Sequence, residues 1–323
     1  MRIDVHAHYF PDEYLERLDR YGATDITAPV RRNQFAFFGS KDPRALEARF
    51  AMMDRAKIDL QVLSLSYQLP YFTNQDHAVD AARFGNDLYA EIVREYPKRF
   101  AAFACTPLPH IQASADEMHR ALDELGMVGV TTATSVMGRS IADPMFDGFF
   151  AELNRRKAVL FIHPAGVSAG SQLIEAYKLT WPIGAPLEDT TCLLQLLQAR
   201  IPARFPDVKI ILPHLGGFAP FLIVRLDQLR GLYFPPTEPP PSQLARHFWY
   251  DTVNGHPPAL RCACETFGAG RILLGTDYPF WRDAAFQLAA DFVEQAGLPM
   301  DEVEHILGGT AEELLGLKQA VAR

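Results

Sequence analysis

His6 and His8 stand two residues apart in the opening run Ile3-Asp4-Val5-His6-Ala7-His8. Alternate residues of an extended strand face one side, so both imidazoles can converge on a single point. Three more groups that ligate metals or carry protons follow apolar runs far along the chain. They are His163 after Leu160-Phe161-Ile162, His214 after Ile211-Leu212-Pro213, and Asp277 after Leu273-Leu274-Gly275-Thr276. Neutral imidazoles with one carboxylate suit zinc. Three histidines and one aspartate as ligands leave room for a water, whose pKa zinc brings to about 7. The hydroxide so formed needs a group to take its proton and a group to orient it, and His214 and Asp277 are the candidates. A lone H-x-H pair or a polar residue at one strand end is commonly a surface pair or a turn cap. Five such residues, each closing an apolar run, fit that reading poorly.

These residues meet only if their strands end at one face. Short apolar runs rich in β-branched residues occupy 3–6, 60–65, 100–104, 128–132, 159–163, 208–213, 248–253 and 272–275. Helical spacing of apolar residues fills 74–96, 111–125, 145–156, 187–200, 220–229 and 258–267. Strands alternating with helices imply parallel βαβ units. Eight units imply an α/β fold of the (β/α)8 TIM-barrel type, with every strand ending at the face where barrel active sites lie. Residues 22–43 interrupt the rhythm and are expected to form a loop over that mouth. Proline-dense residues 234–241 read as an ordered surface loop, and 301–317 as one or two closing helices. A single domain spanning 1–323 is expected.

Composition narrows the partners. The chain has 323 residues, 31 basic and 39 acidic, for a formal charge of −8. That balance argues against nucleic acid, which needs a basic face. No run of about 18 apolar residues suggests a membrane span, and the start lacks the apolar stretch of a secretion signal. A cytoplasmic location with no membrane partner is expected. The four cysteines form no C-x-x-C pair and read as reduced core thiols.

The ordered motifs resemble the amidohydrolase superfamily, and within it the branch of aminocarboxymuconate-semialdehyde decarboxylase and related aromatic-acid decarboxylases. The resemblance rests on Ile3-Asp4-Val5-His6-Ala7-His8-Tyr9-Phe10-Pro11, Asp59-Leu60-Gln61-Val62-Leu63-Ser64 and Pro213-His214-Leu215-Gly216-Gly217. It continues through Leu274-Gly275-Thr276-Asp277-Tyr278-Pro279-Phe280 and Ile306-Leu307-Gly308-Gly309-Thr310-Ala311. It implies that His6, His8, His163 and Asp277 bind the metal and that His214 activates water or moves a proton. It implies that Trp181 lines the pocket and that Arg225 reaches the substrate carboxylate of a neighbouring subunit, hence a homodimer. Arg225 reads equally as an ion-paired or solvated helix residue. His256 either touches substrate or starts a helix, and Phe280 with Trp281 forms either a flat wall for a conjugated ring or loop packing.

Two departures from the branch carry information. The fourth strand, Val128-Gly129-Val130-Thr131-Thr132-Ala133, has no lysine to carbamylate, which implies one metal ion. Asn33-Gln34-Phe35 is followed by Ala36 where the branch has arginine, with Arg31 or Arg32 as candidate substitutes. The His-x-His opening, in place of Glu-x-His, implies zinc rather than manganese. The expected activity is zinc-dependent, non-oxidative decarboxylation of a small aromatic or conjugated acid. The alternative is metal-hydroxide hydrolysis or hydration of a carbonyl, lactone or ring-cleavage product.

Overall fold

The computed structural model of the chain describes residues 1–232 and 239–317. Residues 234–238 of the expected proline-rich loop lie outside the described residues. Eight parallel strands run in sequence order around one sheet: β1 (Ile3–His8), β2 (Leu60–Ser64), β3 (Phe100–Ala104), β4 (Gly129–Ala133), β5 (Val159–His163), β6 (Lys209–Leu212), β7 (Trp249–Asp251) and β8 (Ile272–Leu273). The segment after β8 returns to β1. Leu274 accepts from the Val5 amide at 2.9 Å, Asp277 donates to the His6 carbonyl at 2.7 Å, and Tyr278 accepts from the His8 amide at 2.7 Å. These bonds close the sheet into the expected (β/α)8 barrel.

Helices cover the outside. The longest, Gln75–Glu95, begins where the Asn74 side chain accepts from the His77 amide, a favourable N-cap. It buries Ala78, Ala81, Ala82, Tyr89 and Ile92 at helical spacing. Inside the barrel, Ile3, Val5, Val62, Phe103, Phe161 and Ile211 share one cluster. Residues from strands on opposite sides of the sheet can meet only in its interior. The closing helix Thr310–Leu315 adds Leu314 and Leu315 to that cluster, sealing the end away from the strand C-termini. No helix among the described residues is long and apolar enough to cross a membrane.

β1 carries an irregularity that positions the site. Its register against β2 runs Ile3 to Leu60 and Asp4 to Gln61, then resumes at Ala7 to Leu63 and His8 to Ser64. One extra residue of β1 therefore lies between Asp4 and Ala7, as in a β-bulge. The bulge hands the interior from Ile3 and Val5 to His6 and His8 without burying the imidazoles in the apolar plug. It also frees the His6 amide from the ladder, and Asp4 takes it up. The Asp4 carboxylate accepts from the His6 amide (3.0 Å), the Thr276 amide (3.0 Å), the Thr276 hydroxyl (2.6 Å) and Gln61 Nε2 (2.7 Å). Gln61 Oε1 in turn accepts from Arg49 Nε at 2.7 Å, and Arg49 Nη1 donates to the His8 carbonyl at 3.0 Å. Arg49 is almost wholly buried, its guanidinium set between the Phe100 and Tyr278 rings.

Residues 22–43 differ from the expected loop. They fold into helices Thr24–Arg32 and Phe35–Phe38, anchored by buried Val30 and Ala36. Helices shorter than three turns carry too few repeats for their period to stand out, and they persist through tertiary packing rather than propensity. Helices Asp12–Arg20 and Asp283–Glu294 add to those expected, and the closing segment contains Met300–Glu304 and Thr310–Leu315.

Replacing Asp4 by alanine should cost stability out of proportion to its size. Four buried donors would lose their acceptor, at about 1 kcal/mol or more each, so a loss of about 3–5 kcal/mol is expected. Urea unfolding of the metal-free protein measures it, and a midpoint unchanged from the parent would show that Asp4 does not hold the bulge.

Candidate active site

The C-terminal ends of β1 and β5 and the segment after β8 deliver the expected donors to one place. His6, His8, His163 and Asp277 each bring one ligand atom within 4.8 Å of all the others. Each imidazole is anchored through Nδ1: His6 to Asp251 at 2.7 Å, His8 to the Ser64 hydroxyl at 3.2 Å, and His163 to the Pro164 carbonyl at 2.9 Å. The three Nε2 atoms are thereby left for the centre. Asp277 Oδ1 lies 3.2 Å from His6 Nε2 and 3.0 Å from His8 Nε2. His6 Nε2 is buried without a well-formed hydrogen bond. Ligands oriented from behind by carboxylate, hydroxyl and carbonyl, with one nitrogen left over, are the arrangement of a metal site.

Charge fits the same purpose. Burial pushes His8 and His163 down, with neighbouring imidazoles adding to the effect at His163, so both stay neutral. Burial also opposes charge on Asp277, but His6 and His8 outweigh it and hold its carboxyl well below the usual range. His6 is the exception. Burial would lower it, yet the carboxylates of Asp251 and Asp277 raise it to about 10. Without a metal, a proton on His6 supplies the positive charge that these carboxylates require.

His214 stands beside this cluster, where β6 turns into the next helix. Backbone φ is positive at His214, Leu215, Gly216 and Gly217 in succession. A Cβ on Gly217 would lie 2.0 Å from the carbonyl oxygen of Pro186 in helix Ala185–Gln198, so only glycine lets the turn press against that helix. His214 Nδ1 lies 2.8 Å from Asp189 Oδ2, and its amide donates to Asp251 Oδ1 at 2.9 Å. Asp251 thus touches both His6 and His214. Burial raises Asp189 to about 7 against the pull of His214. Burial opposes charge on His214, but Asp189 and then Asp251 raise it above its ordinary value. The pair holds a proton at the edge of the donor cluster.

Above lies a cavity of about 440 Å³. His163, His214 and Asp277 contribute to its lining, as do the rings of Phe35, Tyr67, Trp181 and Phe280. Trp181 and Phe280 are inclined by only 21° with centroids 6.4 Å apart, and Tyr67 lies 4.7 Å from Trp181. Burial raises the Tyr67 phenol to about 12. Asn33 and Asn254 add two amides. The expected pocket residues Trp181 and Phe280 therefore line this space. Arg225 is exposed on helix Ala219–Gln228 and is not part of the lining within this chain. His256 is exposed just before helix Pro257–Phe267 and also lies outside it. Arg31 is tied to Asp19, and Ala36 is buried in the core. On β4, Thr132 bonds the Tyr71 hydroxyl at 2.8 Å, with no lysine there to bridge a second ion.

Two supporting carboxylates escape the sequence reading. Asp251 closes the apolar run Phe248-Trp249-Tyr250, the same strand-end signal as His163, and that signal could have found it. Asp189 lies mid-helix and carries no signal in the sequence at all.

The sequence pattern of the family described as amidohydrolase matches residues 3–317. The chain belongs to this family. Among its relatives, 2-amino-3-carboxymuconate-6-semialdehyde decarboxylase of Dictyostelium discoideum is 28% identical, with 98% of this chain and 92% of that protein aligned. The 5-carboxyvanillate decarboxylase of Sphingomonas paucimobilis superposes with a TM-score of 0.85 over 98% of both chains at 25% identity. A dihydroxybenzoic acid decarboxylase of Polaromonas, solved with manganese and 2-nitroresorcinol, has a TM-score of 0.82 at 23% identity and covers 98% of this chain and 97% of its own. With four ligand atoms within 4.8 Å of one another, His6, His8, His163 and Asp277 form a His/Asp metal-binding cluster.

Two outcomes follow for that site. Asp251→Asn should loosen the bound ion by about 10–100-fold, the usual cost of losing a group that orients a metal-binding histidine. Metal loading must also displace the His6 proton. Because that proton leaves only near pH 10 in the free protein, affinity should rise about tenfold per pH unit between about pH 6 and 8. Competition titration with a chelator reads both effects, and a pH-independent affinity would contradict the second.

Proposed function

We propose that the chain is a zinc-dependent, non-oxidative decarboxylase of a small aromatic or conjugated carboxylic acid. One observation carries this reading: a proton-holding pair, His214 and Asp189, faces an aromatic-walled cavity directly beside a four-ligand metal site. The decarboxylase names of the relatives support it.

His6, His8, His163 and Asp277 would hold one divalent ion. When bound, that ion supplies Lewis acidity to the substrate's carboxylate or an adjacent hydroxyl oxygen. Three nitrogen donors favour zinc, while manganese in the Polaromonas neighbour makes it the competitor. The remaining work falls to the chain's own side chains. Phe280, Trp181 and Tyr67 seat the ring. His214 delivers its proton to the ring carbon that bears the carboxylate; Asp277, the other group expected to move a proton, is held ionised by His6 and His8 and has none to give. The carbon–carbon bond then breaks, its electron pair returns to the ring, and the carboxylate departs as carbon dioxide. Asp189 keeps the imidazole oriented and charged.

Arg225 fits a role across a homodimer. Its helix exposes Phe221 and Val224, and Phe218 is partly exposed just before it, an apolar patch of the kind that subunit contacts cover. A second reading is metal-assisted hydrolysis or hydration. Asp277, kept ionised at the cavity floor, favours it as a group able to orient a water.

Zinc-loaded protein should release carbon dioxide from hydroxybenzoates and methylsalicylates. Clean lactone or ester hydrolysis without carbon dioxide from any acid would replace the first reading with the second. His214→Ala should retain the metal and lose about 10²–10⁴-fold in kcat; an unchanged rate removes His214 from the mechanism. The donor must be protonated, so the rate should fall as pH rises through the raised His214 value. Asp189→Asn removes the carboxylate that raises it, and the alkaline limb should move to lower pH.

A further inference from the structure

We propose that the substrate carries a single carboxylate, the one it loses, and that Asn33 and Asn254 read a neutral polar substituent on an otherwise uncharged ring. This rests on the decarboxylase reading of the site and narrows its substrate class.

Every imidazole and carboxylate lining the cavity is already committed. His163 and Asp277 belong to the metal cluster, and His214 is paired with Asp189. Among the described residues, no lysine or arginine lines the cavity. Of the arginines on neighbouring segments, Arg32 is exposed beside Asn33 and is not part of the lining. Arg31 pairs with Asp19, and Arg282 lies over the Phe38 ring at 3.9 Å. Arg49 is buried in the network behind β1. If Arg225 of a second copy enters, it provides one guanidinium for the one carboxylate that leaves.

A second carboxylate would therefore exchange water for aromatic walls with no cation to receive it, and a buried unpaired charge is strongly disfavoured. Asp277 and Asp189 nearby add repulsion. Neutral substituents meet the opposite situation. The side chains of Asn33 and Asn254 are unengaged within the described structure, and each offers two donors and an acceptor. Hydroxyl, alkoxyl and nitro groups suit such amides. The Tyr67 phenol, which keeps its proton, adds a further donor.

Matched acids that differ only by the retained carboxylate test this. One pair is 2-hydroxy-3-methoxybenzoate with 5-carboxyvanillate, and the other is salicylate with 4-hydroxyisophthalate. Binding to the metal-loaded protein is read by tryptophan fluorescence, since Trp181 and Trp281 line the cavity, and turnover is read by carbon dioxide release. At least one monoacid should bind at least 100-fold more tightly than its diacid partner. Asn33→Arg or Asn254→Arg, both at exposed positions, should improve diacid binding at least tenfold and leave monoacid binding without such a gain. Equal or tighter diacid binding by the parent protein, or no binding by either monoacid, overturns the proposal. Preferential monoacid binding without carbon dioxide release would instead sink the decarboxylase reading and leave the charge selectivity standing.

Discussion

The barrel closes through backbone atoms of the same residues that form its metal site. His6 accepts from Asp277, and His8 donates to Tyr278. The ligand geometry is therefore part of the seam, and opening the seam would scatter the ligands. Behind it, Asp4 gathers the His6 amide freed by the bulge together with both donors of Thr276. One buried carboxylate thus joins β1 to the segment that carries Asp277. The register of β1 within the fold and the position of two metal ligands are a single constraint.

Carboxylates do four different jobs within this small volume, and environment separates them. Asp4 satisfies backbone and side-chain donors and touches no part of the cavity. Asp277 faces the cavity and is kept ionised by two imidazoles. Asp251 orients His6 through one oxygen and holds the His214 backbone through the other. Asp189 is buried against His214 and shares its proton. Asp251 therefore links the metal cluster to His214 through its two oxygens. Such bridging is what turns separate strand ends into one site.

The walls have a different origin from the floor. The floor comes from strand ends, whose positions the barrel fixes. The walls come from insertions: helices of residues 22–43, the segment leading to Trp181, and the turn bearing Phe280 and Trp281. Barrel chemistry is conserved in the floor and varied in such loops. Asn33, Tyr67, Trp181 and Asn254 line the cavity outside the donor cluster, and the fold by itself does not name the substrate.

Much of this was legible in the sequence. Short continuous apolar runs ending at His163 and before Asp277 marked the strands and their functional ends, because burial on both faces leaves a polar residue only where the strand emerges. His-x-Gly-Gly and Thr-Asp-Tyr-Pro-Phe carried the family resemblance, and the structure places them at turns where backbone φ is positive at His214 through Gly217 and at Asp277. The one-ion proposal rests on the absence of lysine from β4, where Thr132 bonds the Tyr71 hydroxyl. Three matters belonged to the tertiary structure alone. The bulge in β1 depends on pairing with β2, which no local pattern records. Asp189 becomes a proton partner only because its helix packs against the turn that carries His214. Arg31 and Ala36 turn away from the cavity while Asn33 enters it, because short helices take their orientation from what they pack on rather than from their own periodicity. The sequence by itself determined which groups could hold a metal. The fold decided which proton, which walls and which absence of charge surround it, since those depend on distances between residues far apart in the chain.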